Sequence, residues 1–282
     1  MNRRTAYLDA RGALRVTAFR TIAIAGTIAL LAAAVRSDVS YYVFGYSGFG
    51  SVDGLQRYGS ARQVGNVLRL TPNAQGQAGA AWYERKVAVE AGFDTRFRFD
   101  IHGWNWPGPA DGLAFVLQND PSIALGSAGS GLGYEGIRNS VAIEIDHYSN
   151  PGEGPATHVS VQSRGVLPNS ASGSSSLGSV LAPFAAPANM RISYRPGTLT
   201  VYLNDAPLLS VSIDLARVLD LDCSRLWVGF TAATGAGFCN QDILEWYFTS
   251  ELANDCNVNG NPDECDIREG AARILARLGL AV

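Results

Sequence analysis

The chain has 282 residues and a formal net charge of −3; 47% of its residues are hydrophobic, 10% aromatic and 17% charged. That suits one large globular domain with short extras, and the absence of heptads or long apolar spans excludes a coiled coil or a polytopic membrane protein.

Arg3, Arg4, Arg11, Arg15 and Arg20 precede an uncharged run from Thr21 to Val35 that ends in Ala32-Ala33-Ala34. A basic stretch, an apolar stretch and small residues in that order predict a secretory signal peptide over residues 1–36, with cleavage near Ala34. The apolar run is shorter than the roughly 20 residues needed to span a bilayer, so a retained anchor is the lesser reading and no span is expected after cleavage. Cleavage after residue 34 leaves 17 basic against 24 acidic residues, a net charge of −7. Nucleic acid and anionic membranes are therefore poor partners, since both are polyanions. The expected location is extracellular, at the cell surface or periplasmic. Export in turn favours disulfides for the four cysteines. Cys223 and Cys239 flank one apolar segment and Cys256 and Cys265 lie close together, so the expected pairs are 223–239 and 256–265. Four cysteines allow three connectivities, and sequence alone does not choose among them.

Residues 38–250 have an all-β texture. Alternating runs such as "TRFRFDI" (95–101), "LAFVLQ" (113–118), "HVSVQS" (158–163), "MRISYR" (190–195) and "LTVYLN" (199–204) are separated by Gly, Pro, Asn and Ser clusters. Pro196-Gly197 and Asn204-Asp205 are expected turns of a meander, and "SASGSSSLGS" (170–179) a polar loop. Many short strands predict a β-sandwich or barrel, and the block is long for an immunoglobulin-like sandwich of ~100 residues but comfortable for a jelly roll.

Within this block, "VAIEIDHYSN" (141–150) carries two acids two residues apart. Strand alternation puts Glu144, Asp146, Tyr148 and Asn150 on one face and Val141, Ile143 and Ile145 on the other. Two carboxylates aimed at one spot repel unless a proton or a metal lies between them. Glu153 and His158 follow, so oxygen ligands suited to Ca²⁺ are joined by an imidazole suited to Mn²⁺ or a similar ion. The plainer reading is a polar sheet face with one ion-paired acid.

After Ser250 the texture changes to a polar turn and a short amphipathic helix, about Ile267 to Leu280, a C-terminal loop-helix appendage spanning 251–282. Counted from Asp255, the residues Asn257, Asn259, Gly260 and Asp266 fall at positions 3, 5, 6 and 12 of an EF-hand-like or dockerin-like calcium loop, with Asp in place of the final Glu. A disulfide-stapled turn with little or no calcium is the alternative.

"ADGLAFVLQND" (110–120), "GSGLGYEG" (129–136), "NSVAIEIDHYSN" (139–150), "HVSV" (158–161) and "VGFTAATGAGFCNQDILEWYF" (228–248) resemble, in order, the successive motifs of the legume-type (L-type) lectins, here in a bacterial secreted setting. The resemblance implies an all-β, concanavalin-like jelly-roll sandwich that binds sugar. It implies Glu144, Asp146 and His158 as transition-metal ligands, and Asp146, the Tyr148 carbonyl and Asn150 as calcium ligands. The family's second bridging Asp is absent; Glu153 stands in that loop, and the interval to His158 is short, which leaves calcium alone as an alternative to two ions. The resemblance further implies a cis Ala110–Asp111 peptide and Asp111 as acceptor from sugar hydroxyls. Asn150 would be the ion-oriented donor, with Gly131, Ala236 and Gly237 completing the ring. Tyr148, His147, Tyr134, Trp104, Trp106 and Phe238 are candidate aromatic platforms, although "WNWPGP" suits core and turn packing better.

The expected function is a secreted calcium-dependent carbohydrate-binding protein with a glycan or polysaccharide as partner and homo-oligomerisation left open. A glycoside hydrolase on the same jelly roll is the alternative, but Tyr148 and Ser149 occupy the positions where the second catalytic Glu would stand. A third is a cell-surface attachment protein with a degenerate sugar site.

Overall fold

The structure is a computed structural model of the protein and describes residues 6–8, 14–16, 39–104, 108–122, 124–150, 157–252 and 265–270. The chain divides into two units, Met1–Arg36 and Ser37–Val282. In the first, β1 (Ala6–Leu8) and β2 (Leu14–Val16) pair antiparallel.

In the second unit two antiparallel sheets form the sandwich. The first runs, in spatial order, β13 (Ser176–Leu181), β12 (His158–Ser163), β11 (Ser140–Asp146), β10 (Gly112–Gln118), β17 (Arg225–Ala233), β7 (Ala78–Tyr83) and β4 (Leu55–Gly59), with β8 (Val87–Ala88) also on β17. The second runs β16 (Ala206–Ile213), β15 (Gly197–Leu203), β14 (Ala188–Arg195), β9 (Phe93–His102), β18 (Asn240–Leu252), β6 (Val67–Thr71) and β5 (Arg62–Val64), with β3 (Val39–Tyr46) also on β18. This is the jelly-roll architecture expected from the alternating runs.

Alternation explains the second sheet. Phe93, Thr95, Phe97, Phe99 and Ile101 of β9 point inward, and the residues between them are polar or charged. Between the sheets, Phe230 meets Phe97 edge-to-face at 4.9 Å and Trp246 at 4.7 Å between ring centroids. Such geometry adds ~0.5–1.5 kcal/mol per pair beyond area burial. Both expected turns form: Gly197 has φ +92°, and Asn204 and Asp205 have φ +49° and +65°, the left-handed pair of a tight hairpin turn.

The first sheet is different, because β10 and β11 are buried on both faces. Ala80, Trp82, Ala114, Val116 and Ala142 on its outer side are covered by Leu132, Tyr134 and Ile137 from the segment between β10 and β11, forming a second small core. Trp82 Nε1 donates to the Ala124 carbonyl at 2.7 Å and ties that segment down.

Four expectations need correction. The strand that carries the acids ends at Asp146, so Tyr148 and Asn150 leave the shared face and enter a loop. Part of the serine-rich stretch is a strand: "SLGSVL" alternates once the serine run is passed, and β13 adds it to the sheet edge beside β12. The disulfide is Cys223–Cys265, and Cys239 is a free thiol enclosed in the core at 1% exposure, beyond reach of a surface turn; Cys256 lies outside the described residues. Residues 265–270 are helical, beginning two residues before the expected start, and Ile267 is exposed. This helical turn is joined to the sandwich by the disulfide and by ion pairs Arg225–Glu269 at 3.2 Å and Arg268–Asp222 at 2.6 Å.

Candidate functional site

The register of three strands assembles the site. Gly112 pairs with Asp146 on one side and Ala233 on the other, so Asp111, the end of β11 and the loop after β17 meet at one end of the sheet. Position 112 demands glycine, because a Cβ there would lie 2.3 Å from the Ile145 carbonyl oxygen. The Ala110–Asp111 peptide is cis, as the family resemblance implies. The Asp111 N–H donates to the Ala233 carbonyl at 3.0 Å, and its carbonyl accepts from the His147 N–H at 2.8 Å. Both neighbouring strand ends therefore hold the backbone that carries the carboxylate. The Cys239 thiol donates to the Ala110 carbonyl at 3.4 Å from below, and burial, chiefly, pushes its pKa up to about 12.

The loop after β17 closes against Asp111. Gly235 is the residue sequence reasoning missed: a Cβ there would stand 3.0 Å from Asp111 Oδ2, so its lack of a side chain leaves the carboxylate room. Its N–H donates to the Gly237 carbonyl at 3.1 Å. Thr234 Oγ1 accepts from the Gln77 N–H and donates to the Ala74 carbonyl, both at 2.8 Å, so residues 74–77 brace this loop. Ala236 is exposed and Gly237 buried.

Asp146 and His158 are paired in register across β11 and β12 and both are 2% exposed. Asp146 Oδ1 accepts the Tyr148 N–H at 2.7 Å, the Asx-type turn that ends the strand. Tyr148 is 45% exposed and is thus placed as an aromatic surface at the rim. Trp104 is also exposed, whereas Tyr134 is wholly buried and is no platform; Trp106 lies outside the described residues. His147 packs edge-on against Phe184 at 5.0 Å. Its burial lowers its pKa from the usual 6.5 to about 4, so its ring is neutral near pH 7.

Glu144 faces inward to the small outer core and is 0% exposed. The Tyr134 hydroxyl donates to Oε1; the Ser160 hydroxyl and Gln162 Nε2, the latter at 3.1 Å, donate to Oε2. Burial first, then the charge of Glu144, hold the Tyr134 hydroxyl protonated well above its usual range. Ser160 and Gln162 share the face of His158 on β12, and Ser160 is the register partner of Glu144, a relation visible from alternation alone once the strands are paired.

Gly131 lies in a tight turn, Gly129–Gly131, and its N–H donates to the Ala128 carbonyl at 3.3 Å. The glycine of this loop that touches the sheet is Gly133, whose added Cβ would stand 2.9 Å from the Ala232 carbonyl. Glu153, Asp255, Asn257 and Asn259 lie outside the described residues, and Asp266 is on the helical turn 265–270.

Asp146 is a buried carboxylate at the end of β11, and the Tyr148 carbonyl and the Asn150 amide follow it in the loop. That oxygen set fits Ca²⁺. Asp111, 4% exposed, adds a second buried carboxylate at the same sheet end, where a cation would offset their combined charge. Among the described residues, no three His, Cys, Asp or Glu side chains gather to hold a metal. The expected trio of Glu144, Asp146 and His158 therefore does not converge.

Comparison with known proteins agrees with this geometry. The family model described as legume lectin beta-barrel domain matches residues 51–245. A lectin-related protein of Cladrastis kentukea is 31% identical over 212 residues, 66% of this chain and 70% of that one. The solved structure of basic winged bean lectin with Tn-antigen superposes with a TM-score of 0.64 at 26% identity, covering 75% of this chain and 98% of that one. Lectin II from Ulex europaeus superposes with a TM-score of 0.63 at 26% identity, over 76% of this chain and 100% of its own.

Proposed function

From the premise that this chain belongs to the legume-type lectin family, we propose that it is a secreted, calcium-dependent carbohydrate-binding protein and not an enzyme. The observation that carries the proposal is the Asp111 carboxylate, held between the ends of β11 and β17 and given space by Gly235. Sugar hydroxyls are paired donors and acceptors, so a fixed carboxylate beside a fixed amide matches two adjacent hydroxyls. Asp111 would accept from the sugar; Asn150 would hold calcium through its amide oxygen and donate through its amide nitrogen; Tyr148 would offer its ring to the apolar face of the sugar. The loop at Ala236–Gly237 forms the opposite wall, with the glycine-rich turn around Gly131 on the near side. Calcium supplies fixed positive charge that orients Asn150 and offsets Asp146.

Hydrolysis is not favoured, because Glu144 is enclosed in the outer core with Tyr134, Ser160 and Gln162 rather than facing a cleft. Export is supported by the basic-then-apolar N-terminus and by the Cys223–Cys265 disulfide, a bond that persists in oxidising compartments.

A glycan-array screen of the mature protein, in calcium and then in chelator, tests the reading. Binding that chelator abolishes is the expected outcome; binding indifferent to chelator overturns calcium dependence, and release of reducing sugar would favour the hydrolase. Asp111→Ala and Asn150→Ala should each abolish binding with the circular-dichroism spectrum intact.

A further inference from the structure

We propose that Glu144 is a hydrogen-bond hub rather than a metal ligand, so that the site carries one oxygen-ligated divalent cation, and that Tyr134 is the positioning residue through which Glu144 holds the glycine-rich loop. The inference deepens the calcium-dependent reading and rests on the same strand end.

Three donors converge on the Glu144 carboxylate: Tyr134 O–H on Oε1, and Ser160 O–H and Gln162 N–H on Oε2. Gln162 Nε2 also lies 3.0 Å from Ser160 Oγ, so the donors form one connected cluster. An ionised carboxylate offers about four lone-pair directions, and at least three are taken. A cation approaching either oxygen would meet the positive ends of these donors and would have to displace them. Each displaced donor would then be buried and unpaired, because Tyr134, Ser160 and Gln162 are themselves 0–2% exposed. Glu144 also fails to converge with Asp146 and His158 into a ligand set.

The cluster has a mechanical consequence. Tyr134 belongs to the loop that covers the outer face of β10 and β11, and its hydroxyl also lies 3.3 Å from the Ser170 carbonyl. Just before it, Gly133 sits against Ala232, and its N–H and carbonyl bond to Ser127 and Gly126 at 2.9 and 2.7 Å. Tyr134 and Gly133 thus fasten the glycine-rich turn to β11 and β17, the two strands whose ends hold Asp111. The Tyr134–Glu144 bond is the link from the sugar loop to the strand that also bears Asp146.

Metal content decides the first half. The mature protein is equilibrated with excess Ca²⁺ and Mn²⁺ together, freed of unbound ions and assayed by elemental mass spectrometry, with no sugar present. With Asp255→Ala and Asn257→Ala in place, so that the C-terminal calcium-loop candidate holds no ion, one ion in total per chain is expected, and two per chain overturn the proposal. Glu144→Gln should keep that single ion, because the buried Gln162 Oε1 has no hydrogen-bond partner and can turn to accept the new N–H; loss of an ion in this variant also overturns it. Should the variant not fold, the count with Glu144 in place stands alone. Tyr134→Phe tests the second half: about tenfold weaker sugar binding with the ion count and calcium affinity unchanged is expected, tenfold being a 1.4 kcal/mol difference. Unchanged sugar affinity, or a parallel loss of calcium, overturns the positioning role. The ion counts need no sugar ligand, so failure of the lectin reading is told apart from failure of this one.

Discussion

Gly235 and Asp111 face each other across the candidate sugar site, with only 3.0 Å between Asp111 Oδ2 and the position a Cβ would take at residue 235. That separation is tighter than an ordinary van der Waals contact, so a methyl group must displace the carboxylate. Gly235→Ala is therefore expected to weaken sugar binding about tenfold, or 1.4 kcal/mol, while the melting temperature stays within a degree or two. Titration calorimetry beside a thermal melt checks it. Equal affinity in the variant would mean that Asp111 is not the acceptor.

Gly112 makes the contrasting case. Its missing Cβ would collide with backbone, 2.3 Å from the Ile145 carbonyl oxygen and 3.0 Å from Asp146 Cα, and backbone cannot turn aside. Gly112→Ala should separate β10 from β11, costing about 3 kcal/mol of stability as overpacking does. It should also abolish sugar binding. Urea unfolding followed by tryptophan fluorescence measures the first effect.

How much of this was legible in the residues depends on what alternation can report. β9 follows it and β14 largely does, whereas β12 alternates in residue type but is buried along its whole length; the expected runs at 95–101, 158–163 and 190–195 lie inside the observed strands. The jelly roll and the Asp111 position, with its cis peptide, followed from motif order. Tyr148 and Asn150 did not, because alternation is a rule for extended backbone and Asp146 ends the strand by accepting the Tyr148 N–H. The enclosure of Glu144 was hidden for a related reason. A polar residue on a strand face suggests an open face, whereas here a loop more than ten residues long folds over that face and brings Tyr134 to it. The Cys223–Cys265 bond was hidden because pairing joins residues 42 apart in sequence through the docking of a tail, not through local spacing.

That disulfide should matter to stability. Closing a loop of this length restricts the unfolded chain by about 4 kcal/mol on the chain-entropy account. Cys265→Ser is expected to lose a large part of this and to release residues 265–270 from the sandwich. Non-reducing peptide mapping should find Cys223 and Cys265 in one linked peptide, and protease cleavage after Arg268 should quicken in the variant. A map linking Cys223 to Cys239 would refute the assignment.

Asp222 provides an acid-sensitive contact at the same place. Hydrogen bonds from Lys86 and then Arg268 lower its pKa from the usual 3.8 to about 2. A lowered carboxylate pKa stabilises the fold fully above the unfolded value, and the contribution drains away as pH falls from about 4 to about 2. The side chain is 34% exposed, so solvent screens the pair and the effect is small. Asp222→Asn should lower the melting temperature slightly at pH 7 and match the parent near pH 2, so that its fall across that window is flatter.

Cys239 should show the opposite dependence. Its thiol is enclosed beneath the cis peptide, donating to the Ala110 carbonyl, and burial raises its pKa from about 9 to about 12. The thiolate is the reactive form, so at pH 8 the folded protein should leave Cys239 unlabelled by iodoacetamide, and unfolding should expose it to complete labelling. The linkage sign follows from proton counts: above about pH 9 the unfolded chain has lost this proton and the native chain keeps it until about pH 12. Stability from this group is therefore fully present below pH 9 and declines as pH climbs through that interval. Cys239→Ala removes the titration, so its melting temperature should fall less steeply than the parent's between pH 9 and 11. A parallel decline in both proteins, or rapid labelling of Cys239 in the folded state, would show that the thiol is not enclosed beside Ala110.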